Sequence, residues 1–134
     1  MKVQLMLCGL MLCVCFVTIA SAQDAVKVDP THYSVISEND RVRILKVHYG
    51  AHEKSVMHSH PATVAVFLTA SKGVFHLPDG TTKDFDFKAG QAEYGAAGTH
   101  LPENTSDTAM DAVVIELKGH AAKAMKSAMK MPMK

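Results

Sequence analysis

Residues 64–91 read VAVFLTASKGVFHLPDGTTKDFDFKAGQ, and the reading of this stretch decides the fold. Val64-Ala65-Val66-Phe67-Leu68-Thr69 is a clear apolar strand, and Gly73-Val74-Phe75-His76-Leu77 is another. Pro78-Asp79-Gly80 then makes a strong turn, because proline presets φ and glycine tolerates a positive value. In residues 82–88, Phe85 and Phe87 fall on one face and Asp84 and Asp86 on the other, the alternation of a half-buried strand. Ala89-Gly90-Gln91 turns again. No segment here has the caps around a long amphipathic run that a helix shows.

Working outward, the same grammar continues. Residues 32–37 read as a first short strand, and Glu38-Asn39-Asp40 as a turn. Residues 41–49 alternate, with Val42, Ile44 and Lys46 on one side and Arg43, Leu45 and Val47 on the other, until Gly50 ends the run. Residues 55–60 are short and extended, and Pro61 interrupts them. Downstream, residues 92–96 and 99–104 are short strands, and the apolar residues 110–117 close the series. About eight or nine short strands between turn signals predict an all-β domain, a sandwich or a barrel.

The two ends differ from this body. Residues 1–22 carry Lys2, an almost wholly apolar run over 5–19, and Ala20-Ser21-Ala22. That layout predicts a secretory signal peptide cleaved after Ala22. A transmembrane helix needs about 20 apolar residues for a core of about 30 Å, so no transmembrane segment is expected in the mature protein. The expected location is exported, periplasmic or secreted. Residues 23–32 form a polar lead-in, 33–117 the barrel and 118–134 a Lys/Ala/Met-rich basic tail. The tail reads as a short C-terminal helix packed on the barrel, a weak basic surface-binding segment, or a disordered end.

Composition removes several function classes. The cysteines, Cys8, Cys13 and Cys15, all lie in the leader, so the mature chain has neither disulfides nor a thiol nucleophile. Any metal must be held by nitrogen and oxygen. Two arginines and scattered lysines exclude a nucleic-acid surface.

The chemistry rests on histidine. With eight of them in the chain, the pair His58-Ser59-His60 is weak evidence alone. In a strand, however, residues i and i+2 point the same way, which presents two imidazoles on one face. A third ligand must come from another strand, and His100, in Gly98-Thr99-His100, is the best candidate. Three neutral imidazoles plus water suit one divalent transition metal, Fe, Mn, Zn, Ni or Cu. His48 and His52 read as rim or exposed histidines.

At this point the sequence resembles the cupins, small double-stranded β-helix (jelly-roll) proteins. Their first motif is matched by Gly50, His58, His60 and Gly73; their second by Gly90, Gly98, His100 and Asn104, with Ala96 in the place of a proline. The resemblance implies a jelly-roll barrel with His58, His60 and His100 as metal ligands. The metal-binding glutamate of the family is missing, because its slot falls at Val64 or Ala65. Glu53, Glu93 and Glu103 are the nearby carboxylates that would substitute for it.

Three functions follow as expectations. One is a metal-dependent enzyme, an oxygenase or isomerase, acting on a small molecule. The second is a non-catalytic module binding a small molecule or a metal, and the third a structural barrel with a relict site. The pocket walls are expected to include Val64, Val66, His76 and Tyr94. Exposed strand edges make a homodimer a fair default.

Overall fold

The computed structural model describes residues 23–119. The leader and its cleavage point after Ala22, and the tail from His120 with its alternative as a short helix, lie outside the described residues. One helical turn, α1 (Ala25–Val28), precedes nine strands: β1 (Tyr33–Glu38), β2 (Val42–Tyr49), β3 (His58–His60), β4 (Thr63–Phe67), β5 (Ser71–His76), β6 (Thr82–Phe87), β7 (Ala92–Gly95), β8 (Gly98–Asn104) and β9 (Met110–Leu117).

The strands form two antiparallel sheets, ordered β1-β2-β9-β4-β7 and β3-β8-β5-β6. This is the expected all-β jelly-roll barrel. Burial follows the two-residue period of each strand. In β2, Leu45, Val47 and Tyr49 are buried, and Arg43 shares their phase. They meet Met110 and Ala112 of β9, Phe67 of β4, Phe85 of β6 and Tyr33 of β1 in one core. Phe67 stacks on Phe87 and Phe75 packs on Phe85, at centroid distances of 4.1 and 4.5 Å.

Two glycine positions have a clear steric reason. A Cβ on Gly73 would lie 2.1 Å from the Glu103 carbonyl oxygen and 2.6 Å from the Phe85 ring, so β5, β6 and β8 come together there only without a side chain. Gly80 turns the β5–β6 connection with a φ of 83°, a region costly for other residues.

The lead-in is more ordered than its polar composition suggests. Asp24 caps α1 by accepting the Val26 N–H, and Asp29 closes the turn at its other end. Among the described residues no helix is long and apolar enough to cross a membrane.

Candidate metal centre

The ladder between β3 and β8 assembles the site. His58 pairs directly with His100 in the antiparallel register. Directly opposed residues share a face, and so do i and i+2. His58, His60 and His100 therefore project together, and their ligating nitrogens all lie within 4.8 Å of one another. Nitrogens bound to one ion at about 2.1 Å lie at most about 4.2 Å apart, so a small side-chain rotation brings the three to ligating distance.

Two of the three imidazoles are held from behind. His58 is fully buried, and its Nδ1 lies 2.8 Å from the Val56 carbonyl oxygen. A carbonyl only accepts, so Nδ1 carries the hydrogen and Nε2 presents a lone pair. That Nε2 is the one buried side-chain nitrogen or oxygen among the described residues without a hydrogen-bond partner. A bare buried acceptor costs about 1–3 kcal/mol, which a metal bond would recover. His60 donates from Nδ1 to Glu116 Oε1 at 2.6 Å, leaving its Nε2 toward the other two rings. His100 stacks on Phe75 at 4.9 Å with its ring nearly parallel. Tyr33 packs edge-on against His58 at 4.8 Å.

The electrostatics suit a cation. Burial lowers the His58 imidazole to about 4. Burial, with His58 and His60 beside it, lowers His100 to about 3. Both are therefore neutral at pH 7, the form that ligates. Burial opposes ionisation of Glu116, but hydrogen bonds from His60 and Arg43 outweigh it and leave the carboxyl below its usual range. Burial raises the Tyr33 phenol well above its ordinary value. The donor set of three imidazoles with a carboxylate behind one of them fits a divalent transition metal.

The triad opens on a cavity of about 520 Å³. His60 and His100 line it with Tyr33, Phe75, Phe85 and Met110. Four residues were expected in its wall; the structure places Tyr94 there and turns Val64, Val66 and His76 away. Thr63, Ala65 and Phe67 line the cavity, so the alternation of β4 turns Val64 and Val66 to the opposite face. Phe75 and Leu77 point inward, so His76 points out and pairs with Glu103 at 2.7 Å. Tyr94 borders the cavity, while its ladder partner is Val64 on the outer face.

Of the three carboxylates considered as substitutes, Glu53 is tied to Gly50 N and His32, and Glu103 to His76 and Lys54. Glu93 lines the cavity and accepts from Gln91. Asn104 is fully buried and bonds Gly50, Ser106 and Thr108, which fixes the β8–β9 turn. His48 and His52 are exposed beside Asp111 and Asp107.

Sequence reasoning missed Glu116, Arg43, Asp24, Asp29 and Ser55. One signal was available: Glu116 falls in phase with Met110, Ala112 and Val114 on the inward face of β9, and Arg43 falls in phase with Leu45 on β2. A charge at an inward position needs a partner.

No family model matches the sequence, and no curated protein matches it. Solved structures do. A cupin domain from Bordetella pertussis Tohama I is similar at 25% identity and a TM-score of 0.61, over 65% of this chain and 92% of that one. A double-stranded β-helix protein from Klebsiella pneumoniae gives 18% and 0.53, over 66% and 77%. An RmlC-like cupin from Methanocaldococcus jannaschii gives 14% and 0.52, over 73% and 89%. Taken with the two-sheet barrel, these likenesses show that this chain has the double-stranded β-helix fold of small cupin domains.

Proposed function

We propose that this protein is an exported metalloprotein that holds one divalent transition metal on His58, His60 and His100 and acts there on a small molecule. The observation that carries the reading is the unpartnered, buried Nε2 of His58, aimed at two more imidazoles. When bound, the ion supplies Lewis acidity and, if redox-active, electron-transfer chemistry of the kind an oxygenase or isomerase uses. The chain itself does the rest. Phe75 and Tyr33 pack against the triad, Val56 and Glu116 hold the imidazole hydrogens away from it, and the cavity admits and orients the small molecule. Three neutral ligands leave the centre with more positive charge than a carboxylate-bearing site, which favours an anionic ligand.

A second reading, a non-catalytic binding module, draws on a different observation. The groups next to the triad are poor proton shuttles: the Tyr33 phenol is held protonated and Glu116 is committed to His60 and Arg43. Export is proposed from residues 1–22 alone. A homodimer is proposed from β1, an edge strand that exposes Val35 and Ile36 at 44% and 58%.

Elemental analysis of protein purified without a histidine tag tests the metal. About one equivalent of a transition metal, lost in His58→Ala and His100→Ala, is expected. No metal after reconstitution with Fe, Mn, Ni, Cu and Zn would refute the reading. Iron content directs the search for activity to oxygen-dependent reactions, and zinc or manganese to isomerisation; a loaded protein inert toward all of them favours the binding module. Light scattering reports the oligomeric state, and a monomer at working concentration removes the dimer.

A further inference from the structure

We propose that Asp24 and Asp29, in the lead-in segment that flanks β3, belong to the metal centre as positioning residues that orient the two histidines of β3. The proposal rests on the metal reading above, and its test separates the two.

The starting point is how little else holds these histidines. β3 is three residues long, sits at the edge of its sheet and pairs only with β8. A short edge strand with one neighbour frays easily. Its free side is covered by the lead-in. The Gln23 carbonyl oxygen accepts the Ser59 N–H at 2.7 Å, and Asp24 and Ser59 form a parallel bridge. The backbone between the two ligands is thus fastened on both sides.

Two side-chain routes leave the same segment and end on the outward nitrogens of the two imidazoles. From Asp24, Oδ2 accepts Arg43 Nη1 at 2.7 Å; Arg43 Nε donates to Glu116 Oε2 at 2.6 Å; Glu116 Oε1 accepts His60 Nδ1 at 2.6 Å. From Asp29, Oδ2 accepts the Ser55 hydroxyl, and Ser55 Oγ lies 3.3 Å from His58 Nδ1. The carboxylates at the two ends of the four-residue α1 therefore reach one histidine each. Asp24 also takes half of the Arg43 guanidinium. That leaves the negative charge of Glu116 less neutralised and more available to the His60 hydrogen. Partners behind metal-bound histidines fix ring orientation and basicity.

The test uses the protein as purified, with Asp24→Asn, Asp29→Asn, Asp24→Glu and, as a control on the exposed face of the same segment, Lys27→Ala. Zn²⁺ affinity is measured by competition with a chromophoric chelator. Co²⁺ absorption reports ligand geometry, and histidine ¹⁵N NMR of the metal-free protein reports which ring nitrogen carries hydrogen. The Asn variants are expected to lose about 10-fold in Zn²⁺ affinity and to alter the Co²⁺ spectrum, while Asp24→Glu recovers much of the loss and Lys27→Ala matches the parent. Zn²⁺ affinities of both Asn variants within twofold of the parent overturn the proposal. If an Asn variant fails to fold, the parent's NMR decides: hydrogen on Nε2 of His58 or His60 overturns it, and hydrogen on Nδ1 of both supports it. A parent that binds neither ion refutes the metal reading, and the NMR of Asp24→Asn then judges the positioning role alone.

Discussion

Replacing Glu116 with glutamine separates shape from charge at the back of the site. Glu116 is 2% exposed and accepts two charge-assisted bonds, from His60 Nδ1 and Arg43 Nε, each at 2.6 Å. Glutamine fills the same volume but has one acceptor oxygen. Its amide N–H₂ must then face either the His60 N–H or the Arg43 N–H, donor against donor. One bond is lost, and Arg43 keeps only Asp24 as an anionic partner. Losing one partner of a buried charged bond costs about 2–4 kcal/mol in stability. For a domain of this size that lowers Tm by on the order of 10 °C. The same change weakens the metal site, because the imidazole loses the acceptor that fixes its ring orientation, and about 10–100-fold in affinity is expected. The chain has no tryptophan, so urea unfolding is followed by circular dichroism, and Zn²⁺ affinity by chelator competition. A Glu116→Gln protein that binds Zn²⁺ as tightly as the parent refutes the argument, since its carboxylate would then serve only Arg43. Full stability with weakened binding would refute the burial argument and leave the ligand argument standing.

Three further outcomes are expected. In the metal-free protein, His58 and His100 have folded values of about 4 and about 3, below the ordinary 6.5, so the unfolded chain takes up protons first as pH falls. Their contribution is whole above about pH 6.5 and is lost as pH falls through the folded values, with about 2–4 kcal/mol gone by pH 5; urea titrations at pH 7 and pH 5 that give equal stability contradict this. Gly73→Ala pushes a methyl into the Glu103 backbone and the Phe85 ring, so a loss of about 3 kcal/mol or failure to fold is expected, and a thermal melt unchanged from the parent excludes the contact. Phe75→Leu removes the ring stacked on His100 and opens that ligand to water; weaker Zn²⁺ binding with a modest stability loss is expected, and unchanged binding assigns Phe75 to the core alone.

How much of this is legible in the sequence depends on how local the cause is. The strands are legible because each is written in a two-residue period and bounded by turn chemistry; β9, at Met110–Leu117, runs from end to end as its apolar pattern predicts. The triad is legible because His58 and His60 lie two apart and His100 sits in a family motif. The cavity wall is harder. Whether Val64 or Ala65 faces inward depends on register, and an apolar run such as VAVF carries no polar residue to reveal its phase. The supports behind the ligands are harder still. Asp24, Arg43, Glu116 and His60 are distant in the chain and become neighbours only when β9 lies between β2 and β4. The resemblance points to carboxylates near its motifs, Glu53, Glu93 and Glu103. The carboxylate that reaches the triad, Glu116, lies outside both motifs and bonds His60 Nδ1.

The place of β9 has a consequence in time. The last strand of the barrel is the middle strand of its sheet, with β2 on one side and β4 on the other. A chain emerging N-terminus first holds β1, β2, β4 and β7 without the strand that joins them until β9 is made. The histidines are out before anything can orient them, and the barrel closes only when residue 117 has arrived. Such a chain closes late, as a fold dominated by distant pairings does. A chain ending at residue 109 is therefore expected to lack a cooperative thermal transition, and a folded fragment of that length would show that the order of assembly is set elsewhere.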